Sequence, residues 1–207
     1  MTIAIDRRAL FAGAAGLLAA GCSDIIGPPP AFKLYMLAPK LPGGLAGGKV
    51  GWALALRAPE AIAGLDGERI AILFPPAHLD YYADAAWADR LPNLVDAALL
   101  EAFESSGRID AVARDADAVR SDYTLSVDLR DFESRLDSGE TAPLAVVRIS
   151  VRVLKSRSHE IVGYKSFSRE ERAAVNTVEA GVAALNSAFG GVLGELDPWV
   201  LDRPSPD

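Results

Sequence analysis

With 207 residues, half of them hydrophobic, the chain is long enough to bury one sizeable domain core. Its 28 acidic residues against 21 basic ones give a net charge of −7, which argues against nucleic acid, whose phosphates demand a basic surface. One cysteine, Cys22, provides no disulfide framework, and two histidines with it provide no metal-ligand cluster, so no bound cofactor or metal is expected.

The chain opens with MTIAIDRRALFAGAAGLLAAGC, in which Arg7 and Arg8 precede an apolar run, 9–18, closed by the small residues Ala19, Ala20 and Gly21. This is the anatomy of a secretory signal peptide. The run is shorter than the ~20 apolar residues a membrane span needs. Leu18-Ala19-Ala20-Gly21-Cys22 also resembles a bacterial lipoprotein signal of the L-[AS]-[GA]-C kind. That resemblance implies cleavage after Gly21, a diacylglycerol on the Cys22 thiol and an acyl chain on the freed Cys22 amine. A small buried cysteine beside an ordinary cleavage site is the plain alternative; position, spacing and the lack of a partner cysteine favour the lipid. Several acyl chains, at ~0.8 kcal/mol per buried methylene, anchor stably where one does not. Arg7-Arg8 fits a twin-arginine export signal or an ordinary basic leader equally well, because Asp6 precedes the pair. Ser23, not Asp, follows the cysteine, and the enterobacterial sorting pattern then implies the outer membrane over the inner one.

Residues 22–31, with Pro28, Pro29 and Pro30, read as an extended tether, at ~3.1 Å per proline-rich residue, ahead of a single domain over 32–200. Strands are expected at Phe32–Leu37, at Trp52–Arg57, where apolar residues alternate, and at Glu68–Phe74, whose continuous apolar run suits a central strand. Leu91, Leu94, Val95, Ala98, Leu99, Ala102 and Phe103 lie at helical spacing between Pro92 and Gly107. A short strand at 109–114 follows, then a hairpin. Tyr123, Leu125, Val127 and Leu129 alternate with polar residues on its first arm, and Val147, Ile149, Val151 and Val153 do so on its second. The turn SRSHE leads to a last strand, 161–168. A closing helix is expected to begin with a capping box of Asn176 and Glu179, to show an apolar stripe from Val178 to Leu196, and to stop near Pro198-Trp199. The tail, 201–207, is expected to be disordered. The elements predict an α/β sandwich: a mixed, largely antiparallel sheet of about five or more strands with two main helices packed on it.

Catalytic signatures are weak. Gly43, Gly48 and Lys49 match part of a phosphate-binding loop, but Val50 replaces its hydroxyl residue and a strand, not a helix, follows. His78 and His159 lack companions for a metal site, Asp115 and Asp117 lack the glycine and glutamate of a calcium loop, and no G-x-S-x-G elbow is present. No enzymatic activity is expected from these residues.

Tyr35 with Leu37 and Pro39, resembling a Y-x-L-x-P opening, and Trp87-Ala88 with Leu91-Pro92, resembling a W-A-x-x-L-P helix start, place the mature chain close to the ABC-type transport auxiliary lipoproteins. That family includes the outer-membrane lipoprotein of paraquat-inducible lipid-transport systems. The resemblance implies a periplasmic subunit held to the membrane by its lipid, docking alone or as a homo-oligomer. Its implied partners are an ATPase and permease, reached through a mammalian-cell-entry-type subunit. A lipidated hydrolase or transferase, or an envelope-assembly lipoprotein, is the alternative. The segment before the third strand, APEAIAGLDGERIAILFPP, departs from the family pattern and suits a helical turn. Tyr81, Tyr82 and Trp87 admit two readings: packing beneath the first helix, or an apolar patch facing a partner, since Tyr and Trp are enriched at interface centres.

Overall fold

The computed structural model describes residues 32–40, 48–137 and 139–203. The expected cleavage site at Gly21, the expected lipidation at Cys22, the expected tether, Gly43 and residues 204–207 lie outside the described residues. In chain order the strands are β1 (Lys33–Tyr35), β2 (Val50–Leu56), β3 (Glu60–Ala61), β4 (Arg69–Phe74) and β5 (His78–Trp87). Helix α1 (Leu91–Ser106), β6 (Ile109–Arg114), β7 (Tyr123–Arg135), β8 (Leu144–Lys155), β9 (Ile161–Arg172) and helix α2 (Val178–Leu201) complete the domain.

Strand β7 is the spine of the sheet. One of its edges pairs antiparallel with β8 from Tyr123↔Lys155 to Arg135↔Leu144, and β8 pairs in turn with β9. The opposite edge takes three strands end to end, all parallel: Leu54–Leu56 of β2 against Tyr123–Leu125, β3 against Asp128 and Leu129, and Ile72 and Leu73 of β4 against Ser134 and Arg135. From there β2 extends to β6, and β4 extends through the antiparallel β5 to the parallel β1 at the margin. The sheet is therefore mixed, with its longest ladders antiparallel, as the sequence leads one to expect. Its internal strand β4 carries the buried run Ile70, Ala71 and Ile72.

Alternation sets which face is buried. Tyr123, Leu125, Val127 and Leu129 turn inward, and a bulge between Leu129 and Asp131 restores the phase so that Phe132 also points into the core. Val147, Ile149, Val151 and Val153 of β8 are fully buried beside them. Helix α2 packs over β7, β8 and β9, while α1 packs on β2 and β6 and touches α2. Edge-on ring contacts run through the core: Trp87 meets Phe132 within the sheet at 6.2 Å, and Phe132 to Phe189 at 5.6 Å and Phe167 to Trp199 at 5.5 Å join the sheet to α2.

Helix α1 begins with proline in its first turn and ends at Gly107, whose φ of 61° is a left-handed cap. Helix α2 differs from the sequence reading at both ends. Its N-cap is Thr177, not Asn176: the Thr177 side chain accepts a hydrogen bond from the Ala180 amide at 3.3 Å. At the other end α2 passes through Pro198 to Leu201: the proline forgoes one backbone hydrogen bond, and the buried Val200 and Leu201 hold the last turn to the core against that loss. The order of the chain thus extends into the supposed tail; Arg203 stacks over Trp199 at 5.0 Å and reaches the Val162 carbonyl at 3.4 Å. Strand β5, which carries Tyr81, Tyr82 and Trp87 and is not among the strands expected from the sequence, forms a hairpin with β4. The expected helical turn exists at Ile62, whose carbonyl accepts from Leu65 and Asp66, beside the two-residue strand β3. Among the described residues no helix is long and apolar enough to cross a membrane.

Candidate functional site

The first strand, β1, and the residues after it are fastened to α2. Lys33 Nζ and Tyr35 Oη both donate to Glu179 Oε1, at 2.7 and 3.0 Å. The Lys33 bond, then the helix-terminal backbone amide and then Tyr35 hold the Glu179 carboxyl down to about 2, and the same carboxylate raises the Lys33 ammonium. Farther along, the Ala38 amide donates to Asn186 Oδ1 at 2.7 Å. The Lys40 carbonyl then lies on the helix at Gly190, where a Cβ would sit 2.7 Å from the oxygen. A groove of about 610 Å³ runs along this seam, lined by Ala38, Lys40, Ala183, Asn186, Gly190 and Gly194. Lys33, itself exposed, is drawn to α2 by Glu179, Tyr35 is half-buried and Leu37 is buried; the alternate residues Phe32, Leu34 and Met36 face away from that seam, and each is more than 60% exposed.

The outer face of β7 and β8 is a ladder of charge. Asp128 Oδ2 accepts from Arg130 at 2.9 Å and Arg152 at 2.7 Å, Asp131 Oδ2 from Arg148 at 2.5 Å, and Glu133 Oε1 from both Arg135 Nε and Nη2 at 3.0 and 2.8 Å. Burial pushes the Glu133 carboxyl up against the opposing pull of Arg135, and the Asp131 bond raises the Arg148 guanidinium. Ser126 and Ser150 on the same strands are nearly inaccessible. A depression of about 330 Å³ opens beside Asp128 and Arg152 against Ile62. Each of these arginines is engaged by a carboxylate, so this part of the face presents fixed, paired charge.

The residues singled out in the sequence are dispersed. Trp87 is 1% exposed and belongs to the core with Phe132, which removes it from a partner-facing patch. Tyr81 and Tyr82 are half-buried. Tyr81 donates to the Gly64 carbonyl at 3.1 Å beneath the Arg69 guanidinium, and the Tyr82 hydroxyl, which burial shifts upward, sits over Gly181. His78 and His159 occupy different hairpins, and Asp117 closes a local turn by accepting from the Arg114 amide at 3.1 Å. Lys49 runs directly into β2, so Gly48-Lys49 leads into a strand and not into a helix N-terminus. Among the described residues no group of three or more His, Cys, Asp or Glu is placed to hold a metal ion. Sequence reasoning missed two features. One is the Glu179 clasp, whose partners lie more than 140 positions away. The other is a buried pair of Arg108 Nη1 and Asp197 Oδ2, 3.6 Å apart, in which burial shifts the Asp197 carboxyl upward.

Comparison with known proteins places this architecture. A family model described as the ABC-type transport auxiliary lipoprotein component matches residues 35–196. The chain is 31% identical over 149 residues to the uncharacterized protein bll6063 of Bradyrhizobium diazoefficiens; the match covers 72% of this chain but only 39% of that protein. Its fold is similar to the crystal structure of protein XCC0632 from Xanthomonas campestris, with a TM-score of 0.75 and 30% identity over 82% of this chain and 95% of the other. A second crystal structure, of an uncharacterized protein, shares the fold with a TM-score of 0.62 at 13% identity, over 82% of this chain and 99% of that one. The matched region starts at Tyr35 in the clasped strand and ends at Leu196 in α2, so it takes in the sheet and both helices, and the chain belongs to the ABC-type transport auxiliary lipoprotein family.

Proposed function

We propose that the protein is a lipid-anchored periplasmic subunit that docks an ABC-type lipid transport system, acting through a mammalian-cell-entry-type substrate-binding subunit. The observation that carries this reading is the family match over residues 35–196, together with the Leu18–Cys22 signal that precedes it. In this reading residues 1–21 are removed, Cys22 carries a diacylglycerol and an acyl chain, and the anchor lies in the outer membrane. The work is positional: the lipid fixes one end of the chain while the domain holds the partner.

The geometry suits docking. Both helices pack against the sheet, and the outer face of β7, β8 and β9 presents Arg148, Arg152 and Tyr164, residue types enriched where proteins meet. Their charges are held in place by Asp128 and Asp131, so little side-chain freedom is lost when a partner arrives. Affinity purification from gently solubilised native membranes tests the reading. Recovery of an ATPase, a permease and a substrate-binding subunit is the expected result; repeated recovery of the protein alone, even after crosslinking, counts against it.

A further inference from the structure

We infer that the outward face of β1 and its flanks, Phe32, Leu34 and Met36, rests on the lipid surface that holds the anchor. The inference depends on the proposed lipidation of Cys22. Single exposed apolar residues are ordinary on protein surfaces. These three are different because they alternate along one run, Leu34 within β1 and Phe32 and Met36 at its two ends, and because the residues between them are bonded to α2. Lys33 and Tyr35 are clasped by Glu179, Leu37 is buried, and Ala38 is bonded to Asn186, so the stripe cannot roll inward without breaking that seam. Strand β1 also ends the sheet: among the described residues it pairs with β5 alone.

Where the chain comes from identifies the occupant. The stripe begins at Phe32, and at ~3.3–3.6 Å per residue the ten residues 22–31 can hold it no farther than about 35 Å from the lipidated cysteine. Bilayer lipid is therefore the apolar phase that this stripe meets at the highest effective concentration. The charge fits a zwitterionic surface. The cation between the stripe residues, Lys33, is paired with Glu179, and the net charge, −7 for the whole chain and −8 once Asp6, Arg7 and Arg8 leave with residues 1–21, disfavours anionic lipid. A second copy of the chain fits less well, since three side chains fall far short of the roughly 800 Å² per partner that a stable interface buries.

Cys22 is the only cysteine, so lipidation leaves a newly introduced one as the single free thiol. Leu34→Cys and, as a control at a distant exposed apolar position, Ile161→Cys would each be labelled with bimane. The full lipidated protein would then be placed in phosphatidylethanolamine–phosphatidylcholine vesicles with brominated acyl chains. Phe32→Cys provides a second probe should Leu34→Cys fold poorly by circular dichroism. Blue-shifted emission quenched by the brominated lipid at position 34 or 32, with none at 161, is expected. A protein that floats with the vesicles but stays unquenched at both stripe positions overturns the inference and leaves the anchor standing. Shielding that grows with protein density and ignores brominated lipid overturns it in favour of a second copy. A free Cys22 thiol and no flotation would overturn the anchor as well.

Discussion

Gly190 allows the carbonyl of Lys40 to lie directly against α2, at a position where any Cβ would approach the oxygen to 2.7 Å. The obstacle is backbone, itself held by the neighbouring Ala38–Asn186 bond, so it cannot swing away as a side-chain end would. In an unobstructed helix, replacing glycine by alanine gains about 1 kcal/mol. Gly190→Ala is instead expected to lose about 1–3 kcal/mol, the cost of overpacking, in urea unfolding. The adjacent Gly191→Ala meets only the flexible Arg169 side chain and is expected to be no less stable than the parent. Equal effects at the two positions would show that the seam is not tightly packed.

The clasp at Glu179 gives the N-terminal strand an acid dependence. Its carboxyl is held down to about 2, below its ordinary 4.5, so the contribution is complete above pH 4.5 and disappears as pH falls through about 2. Both partners are exposed, so the effect is modest and weakens with salt. The Ala38 amide resonance is expected to move across this window at low ionic strength, and Glu179→Gln to abolish the movement. An unchanged titration in that variant would assign the shift to another group.

Arg108 and Asp197 form the opposite kind of pair. Both Asp197 oxygens are buried without a hydrogen-bond partner among the described residues, and the Arg108 nitrogen is too far away to donate to them. Arg108→Met strands the carboxylate and is expected to cost about 3 kcal/mol at neutral pH. Because burial raises the folded Asp197 carboxyl above its ordinary 3.8, the deficit should shrink as pH falls toward that value. Arg108→Met combined with Asp197→Leu is expected to recover most of the loss. A deficit independent of pH would mean that lost packing, not charge, is responsible.

The end of α2 separates two candidate caps. Thr177→Ala is expected to cost about 1 kcal/mol and Asn176→Ala almost nothing, measured by thermal or urea unfolding. The reverse order would restore the capping box that the sequence suggests.

Those two residues show where the sequence is legible and where it is not. Alternation in β7 and β8 and the apolar stripe of α1 arise from burial on one face, and each is visible in a short window. Strand β5 is not, because half of its residues are alanine or aspartate, types that strands disfavour, and its register breaks between its pairings with Arg69 and Ala71. The phase of Phe132 depends on a bulge that only pairing with β8 reveals. Asn176 and Glu179 have capping-box spacing, yet Glu179 is taken by Lys33 and Tyr35 from the other end of the chain. Pro198 looks like a stop, but tertiary burial of Val200 and Leu201 carries the helix past it. Trp87 is ambiguous in sequence because an aromatic residue serves a core or an interface equally well; its contact with Phe132 decides for the core.

The docking role and the lipid contact of β1 both depend on what Cys22 carries. Intact and peptide mass spectrometry of protein taken from native membranes tests this directly. The expected product begins at Cys22, with a diacylglycerol thioether on its sulfur and an acyl chain on its amine. A chain that still carries residues 1–21, or one whose Cys22 thiol is free, would contradict it.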